Sequence, residues 1–448
     1  MTSKPSAVAN VTNVAEVASS RPRARRHWSE DPARIRLYSV AAIVLALAVL
    51  GIWGYRYAWS ATPTISPIGL DFLPFWGASH FVLQGHALDA YNVDLMTKVQ
   101  IAEQPWADKI GGVLPWLYPP VMMVFLAPIA LLPFTYAYTL YACVGLGLYY
   151  AALRRTAPWP GARFPTLGFP GVLLVIIAGQ IALYTTALAG FSLVMLRKRP
   201  VWAGVFAGLL FVKPHVALLF PLAFLCAREW RALGACIATV IGTTVLAAAV
   251  FGIDVYATFL HASEFARQSI VNGTAQIARV PTFFITARML GASVEVAAIV
   301  HGVIALCTVA VLIDFWRRPG VFALRAATLV CATTLVSPYL YDYDLTLLAL
   351  VIAWYVRDGI ARGWLRGERE WLVLLWITPA LGLLGSLQIG FQFLPFITLG
   401  TLAMLWRRRR RLAHVPDVHH GNDATSSGDD RPATARAPRT DTTPAFTR

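Results

Sequence analysis

Charge is what this sequence has least of. Asp, Glu, Lys and Arg together make up 14% of its 448 residues, against 57% hydrophobic residues, and that balance excludes an ordinary soluble protein. Acids are scarcer than bases, 23 against 38, and the resulting formal charge of +15 would suggest nucleic acid in a soluble chain. Here most basic residues fall in short stretches between apolar runs and in the tails, so membrane topology accounts for them and no nucleic-acid partner is expected. Cysteine is sparse too. Cys143, Cys226, Cys236, Cys307 and Cys331 sit in or beside apolar runs with neither pairing nor metal-ligand spacing, which leaves them as small packing residues. An internal repeat is also missing, and this weakens a transporter reading.

What the chain has instead is apolar length. Several runs approach or exceed the roughly 18 residues needed to cross a bilayer, so the expected class is an all-α polytopic membrane protein. Residues 1–36 read as a disordered, basic, cytoplasmic tail. Leu37 to Trp59 follows as a first span, too long and too far from the start for a signal peptide despite the small-residue Ala58-Trp59-Ser60, hence an uncleaved anchor. Residues 60–112 form a first outer loop, richer in acid than base. Val113 to Leu132 looks like a span. If it crossed, however, Arg154, Arg155 and every later basic cluster, down to Arg407–Arg411, would lie outside, against the positive-inside rule. Its prolines Pro115, Pro119, Pro120 and Pro128 favour a broken, interfacial or re-entrant segment instead.

Span 2 is then 134–153, and further spans follow near 166–179, 181–196, 200–212, 214–227, 232–252, 294–314, 321–337, 340–357, 371–388 and 391–406. That gives about 12 spans with both termini cytoplasmic, a catalytic unit over 37–406 with outer loops 60–133 and 253–293, and a basic then disordered tail over 407–448. The shorter spans suggest a cavity rather than a plain bundle.

Within this frame Gly69-Leu70-Asp71-Phe72-Leu73-Pro74-Phe75-Trp76 stands out. Pro74 falls in a first helical turn, apolar residues recur at helical spacing to Leu83, and Gly85 can close the helix. The stretch reads as an interfacial helix with its aromatic face in lipid and Asp71 at its mouth. Asp71 is either a simple N-cap or a functional acid.

The other unusual polar groups also fall on the outer side: Tyr118-Pro119-Pro120, Gly179-Gln180, Lys213-Pro214-His215, and Ser337 through Asp344. Ionisable residues at membrane depth are costly and so are functional candidates. Each has a plainer reading. Lys213 can snorkel, His215 can be a packing histidine, Gln180 can cap a turn, and Arg267, Arg279 and Arg288 can be surface charges. Asp342-Tyr343-Asp344 has a D-x-D spacing, but hard cations want more oxygens than two acids supply, so no metal is expected. Together, one acid and several cations around a lipid-accessible cavity suit transfer of a sugar from a lipid phosphate. The cations would hold the leaving phosphate and one base would deprotonate an acceptor hydroxyl. In that arrangement Lys213, His215, Arg267, Arg279 and Arg288 bind phosphate, while Trp76, Tyr91, Tyr118, Gln180, Tyr341, Asp342 and Asp344 line the sugar or acceptor pocket. The competing reading is a non-enzymatic transporter or flippase of lipid-linked saccharides.

These stretches, with Leu83 through Tyr91 and Leu132-Pro133, resemble in order the GT-C glycosyltransferases, specifically glycosyltransferase family 87, formerly a DUF2029 family. The resemblance covers most of 37–406. It implies a GT-C fold and Asp71 as catalytic base. It also implies inverting transfer of a hexose, often mannose, from a polyprenyl phosphate to an extracytoplasmic glycan or glycolipid. Such an enzyme needs no cofactor, is metal-independent at the sugar, and sits among the lipids of a bacterial cytoplasmic (inner) membrane with its active site outside. Relatives carry a histidine pair in the segment corresponding to 337–344, where this chain has Tyr343 and Asp344.

Overall fold

Prolines mark where many of the helices begin. Pro74, Pro120, Pro170, Pro200 and Pro214 each occupy a first turn, where the missing N–H has no intrahelical partner to lose. The computed structural model describes residues 31–59, 68–104, 114–272 and 277–413. The remainder of the expected tails, and loop residues 60–67, 105–113 and 273–276, lie outside it.

In chain order the first helices are α1 (Pro32–Trp59), α2 (Leu73–Leu83), α3 (Val93–Glu103), α4 (Pro120–Leu126) and α5 (Phe134–Thr156). Then come α6 (Arg163–Leu167), α7 (Pro170–Ala178), α8 (Ala182–Met195), α9 (Pro200–Leu209), α10 (Pro214–Ala217), α11 (Leu219–Cys226) and α12 (Trp230–Phe251). The rest are α13 (Asp254–Val271), α14 (Phe283–Met289), α15 (Val294–Arg317), α16 (Phe322–Val336), α17 (Leu348–Arg362), α18 (Glu368–Ile389) and α19 (Leu394–Ala413). Among the described residues there is no strand.

Helices fall where the spans were expected. Among the described residues three helices are long and apolar enough to cross a membrane by length and composition, against the twelve expected: Pro32–Arg56, Trp230–Phe251 and Val294–Arg317. The bent pair Pro160–Leu167 and Pro170–Ala178, 45° apart, would make a fourth. Pro120–Leu131, Ala182–Met195, Pro200–Val212, Pro214–Cys226 and Phe322–Val336 are apolar but shorter. Helix α19 runs straight through Arg407–Arg411 to Ala413. The proline-rich segment before α5 is indeed broken, into an extended stretch, α4 and a 3-10 turn at Ile129–Leu131.

Small residues let the bundle close. Gly204 and Gly208, four apart on α9, face α12 so tightly that a Cβ on Gly204 would collide with the Ala232 carbonyl oxygen. This is the small-xxx-small device of helices packed in lipid.

The two ends of the bundle differ in chemistry. At one end the basic residues collect around buried acids. Arg408, 2% exposed, bonds Asp358 at 2.5 Å and Glu368 at 2.6 Å, while Arg409 meets Asp314 at 2.8 Å. This ties together the last turns of α15, α17 and α19 and the first turn of α18. Helices that end there start or finish at the opposite end, where the remaining polar residues gather.

Candidate functional site

Asp71 is delivered by two glycines that meet back to back. Gly69 (φ 82°) and Gly179 (φ 84°) both take the left-handed conformation, and the Gly69 N–H donates to the Ile177 carbonyl at 2.8 Å. A Cβ on Gly179 would stand 2.8 Å from the Gly69 Cα, so only glycine permits the approach. The chain then makes a 3-10 turn, Leu70–Phe72, with Asp71 inside it and Gly69 as its cap residue. The N-cap reading of Asp71 therefore fails.

Phe72 fixes this turn by sinking completely into protein, with ring centroids 4.9 Å from Tyr141, 5.4 Å from Tyr138 and 5.6 Å from Phe134. Helix α2 follows, started by Pro74 and closed by Gly85 (φ 78°), as its sequence predicts. Its aromatic face does not lie in lipid. Phe75 is fully buried and Trp76 is 8% exposed, both against protein, because α4, α5 and the first loop supply the apolar partners. Trp76 spends its indole N–H on the Leu132 carbonyl at 2.9 Å and stacks on His80.

From Asp71 a chain of hydrogen bonds runs outward. The Gln180 amide donates to Asp71 Oδ2 at 3.0 Å, and the Tyr118 hydroxyl donates to Gln180 Oε1 at 2.8 Å. The Tyr91 hydroxyl in turn donates to the Tyr118 carbonyl at 2.8 Å. Gln180 is thus a bridge between two candidates rather than a turn cap.

Beside this chain stand two ion pairs. Lys213, at the end of the 3-10 turn after α9, is 5% exposed and places Nζ 2.5 Å from Asp344 Oδ1, so it does not snorkel. Arg279 grips Asp342 with two bonds of 3.0 Å each. Tyr343 lies between the pairs, its ring centroid 4.8 Å from Lys213 Nζ and 5.5 Å from Arg279 Cζ, with Tyr341 stacked on it at 5.4 Å. The two acids of the D-x-D spacing each hold a cation of the protein itself. Neither pair exhausts its donors. An ammonium has three N–H groups and a guanidinium five, so both cations retain capacity for an incoming anion.

Charge ties the ion pairs to Asp71. Burial raises the Asp71 carboxyl above its ordinary value of 3.8, Arg279 and the Gln180 bond pull it back, Asp342 pushes it up and Lys213 pulls it down. The result is one acid among two cations and two further acids, within electrostatic reach of each other. His215 joins them next to Lys213, and its buried Nε2 has no hydrogen-bond partner among the described residues.

Two residues expected with the cations stand elsewhere. Arg267, exposed on α13, pairs with Glu264 at 2.6 Å. Arg288 donates to the Ala292 carbonyl at 2.8 Å, finishing α14. Sequence reasoning missed the use of Asp342 and Asp344 as partners of Arg279 and Lys213. No local signal announced these pairs, since Lys213 and Asp344 stand 131 positions apart and Arg279 and Asp342 stand 63 apart. The Gly69–Gly179 contact left no such signal either, since it too pairs residues far apart in the chain.

Residues 116–338 match the family model of glycosyltransferase family 87. No curated protein and no solved structure matches the chain. The matched segment includes Tyr118, Gln180, Lys213, His215 and Arg279. It begins after Asp71 and stops before Asp342 and Asp344. The match agrees with the motif resemblance and supports a membrane glycosyltransferase.

Proposed function

From the family match over residues 116–338 we infer that this protein is an integral-membrane glycosyltransferase that moves a hexose, mannose in our reading, from a polyprenyl phosphate to a hydroxyl of an extracytoplasmic glycan or glycolipid. The observation that carries the site assignment is the enclosure of Asp71 between the Gln180 bond and the Arg279–Asp342 and Lys213–Asp344 pairs. Asp71 acts as general base. Its carboxylate takes the proton of the acceptor hydroxyl as that oxygen attacks the anomeric carbon, and burial strengthens it as a base. The sugar–phosphate bond breaks on the opposite face, which inverts the anomeric centre.

Lys213, Arg279 and His215 hold the departing phosphate and stabilise the charge it gains. Gln180, held by Tyr118, keeps the carboxylate aimed, so the reacting atoms meet without an ordering cost at the moment of reaction. Tyr91, Tyr341, Asp342 and Asp344 shape the pocket. No cofactor or metal takes part in this scheme. The protein sits in a bacterial cytoplasmic membrane with this end outside and both termini inside.

The test uses membranes containing the full chain and a polyprenyl-phosphate mannose labelled in the sugar. A label that appears in a new glycosidic linkage supports the reading. A label that only changes sides of the membrane, still on its lipid, identifies a flippase instead.

A further inference from the structure

On the basic side the bundle leaves open a cavity of about 1080 Å³ between α1, the α6–α7 bend, α17 and α18, its lining reaching inward to Ala349 at the start of α17. Its walls are apolar. Its charged lining residues are Arg34, Arg36, Arg163 and Arg369, with no acid among the lining residues. Arg36 and Arg163 converge on one ring, with guanidinium carbons 5.2 Å and 4.8 Å from the centroid of Phe164. Arg34 is partly neutralised by Asp31 at 3.5 Å, whereas Arg36 and Arg163 are exposed.

We propose that this groove is a binding site for an anionic phospholipid of the leaflet on the basic side, its headgroup phosphate between Arg36 and Arg163 and an acyl chain along α17. Length and charge both point to that occupant. The α17 wall runs from Ala349 to Ile360, about 16 Å at a rise of about 1.5 Å per residue. That is about half of a hydrocarbon core roughly 30 Å thick, so the groove fits one leaflet's acyl chain. An extended polyprenyl tail would overrun it. The positive rim without acid complements an anionic headgroup and gives no reason to hold a zwitterionic one. The wall of α1 makes the site composite, so a bound lipid would also fasten α1 to the bundle, which it meets through α6 and α7. The site is independent of the transfer reaction and stands whatever that reaction proves to be.

The experiment reconstitutes the full chain into vesicles of equal phosphatidylcholine and phosphatidylglycerol, then counts retained lipids by native mass spectrometry. Wild-type protein is expected to retain phosphatidylglycerol selectively. Each arginine near a membrane surface is worth about fivefold, so Arg36→Gln with Arg163→Gln lowers that preference about 30-fold. Arg36→Lys with Arg163→Lys keeps it, which separates charge from packing. Equal preference in wild type and the Gln pair overturns the proposal, as does loss of preference in the Lys pair. A third measurement needs no variant. Polyprenyl phosphate added in excess to wild type leaves the phosphatidylglycerol in place, and its displacement would assign the groove to the tail of the sugar donor instead.

Discussion

Replacing Lys213 by Met separates what the lysine does for the fold from what it does for an incoming phosphate. Lys213 is 5% exposed, Asp344 is fully buried, and their polar atoms are 2.5 Å apart. Lys213→Met keeps the length of the stem and removes the charge, leaving a carboxylate enclosed without its cation. Breaking a buried pair from one side costs roughly 3–5 kcal/mol, far above the roughly 0–1 kcal/mol of a surface pair. Adding Asp344→Asn removes the stranded charge while its amide oxygen can still accept the Tyr341 N–H, which Asp344 holds at 3.3 Å. The double variant should therefore recover most of the lost stability, a coupling of about 2–4 kcal/mol.

Transfer activity should not recover with it, because the phosphate still lacks its ammonium. Detergent-solubilised protein unfolded by heat or denaturant, followed by intrinsic fluorescence, gives the first readout, and the labelled-sugar assay gives the second. A single-variant cost below about 1 kcal/mol would mean that the pair is solvated and the burial argument wrong. Full activity in the double variant would remove Lys213 from the donor site.

Two further outcomes follow from the same geometry. Gly179→Ala should cost roughly 2–5 kcal/mol, from the left-handed backbone and the collision with Gly69, and should lower transfer more than melting temperature because it parts Gln180 from Asp71; a variant with normal activity would show that the contact does not position the acid. In pH profiles of kcat/KM, activity should fall as pH drops through an Asp71 value above 3.8, and Arg279→Gln should move that acid limb upward by removing a charge that lowers it. Because the raised value favours the protonated form, the stability Asp71 contributes is complete below its unfolded value and is lost as pH rises through the folded one. The melting temperature of Asp71→Asn relative to wild type should therefore climb from acid to neutral pH, and a flat difference would contradict the burial of this carboxyl.

The sequence made the helices legible because apolar runs, first-turn prolines and closing glycines are local signals; α2, from Pro74 to Gly85, formed as its residues dictate. The gathering of Asp71, Gln180, Lys213 and Asp342 at one end was also readable, since alternate helix ends must share a side once the basic clusters are assigned to the other. What surrounds each residue was not readable. Amphipathic spacing shows that Phe72, Phe75 and Trp76 share a buried environment, but apolar protein and apolar lipid look alike to a sequence, and here the environment is α4 and α5. Pairing was hidden for a related reason. Lys213 and Asp344 are 131 positions apart, and nothing local in either indicates that each satisfies the other. The same blindness hid the buried role of Arg408, which sits within a run of five arginines and differs from its neighbours only in facing Asp358 and Glu368.

The claim on which the rest depends is that Asp71 accepts the proton of the attacking hydroxyl. The direct measurement is single-turnover sugar transfer by Asp71→Asn at saturating donor, in protein verified to be folded. A general base of this kind contributes about 10²–10⁴ in rate, so the account predicts a loss of that size in the chemical step with donor binding retained. A rate equal to wild type would contradict it.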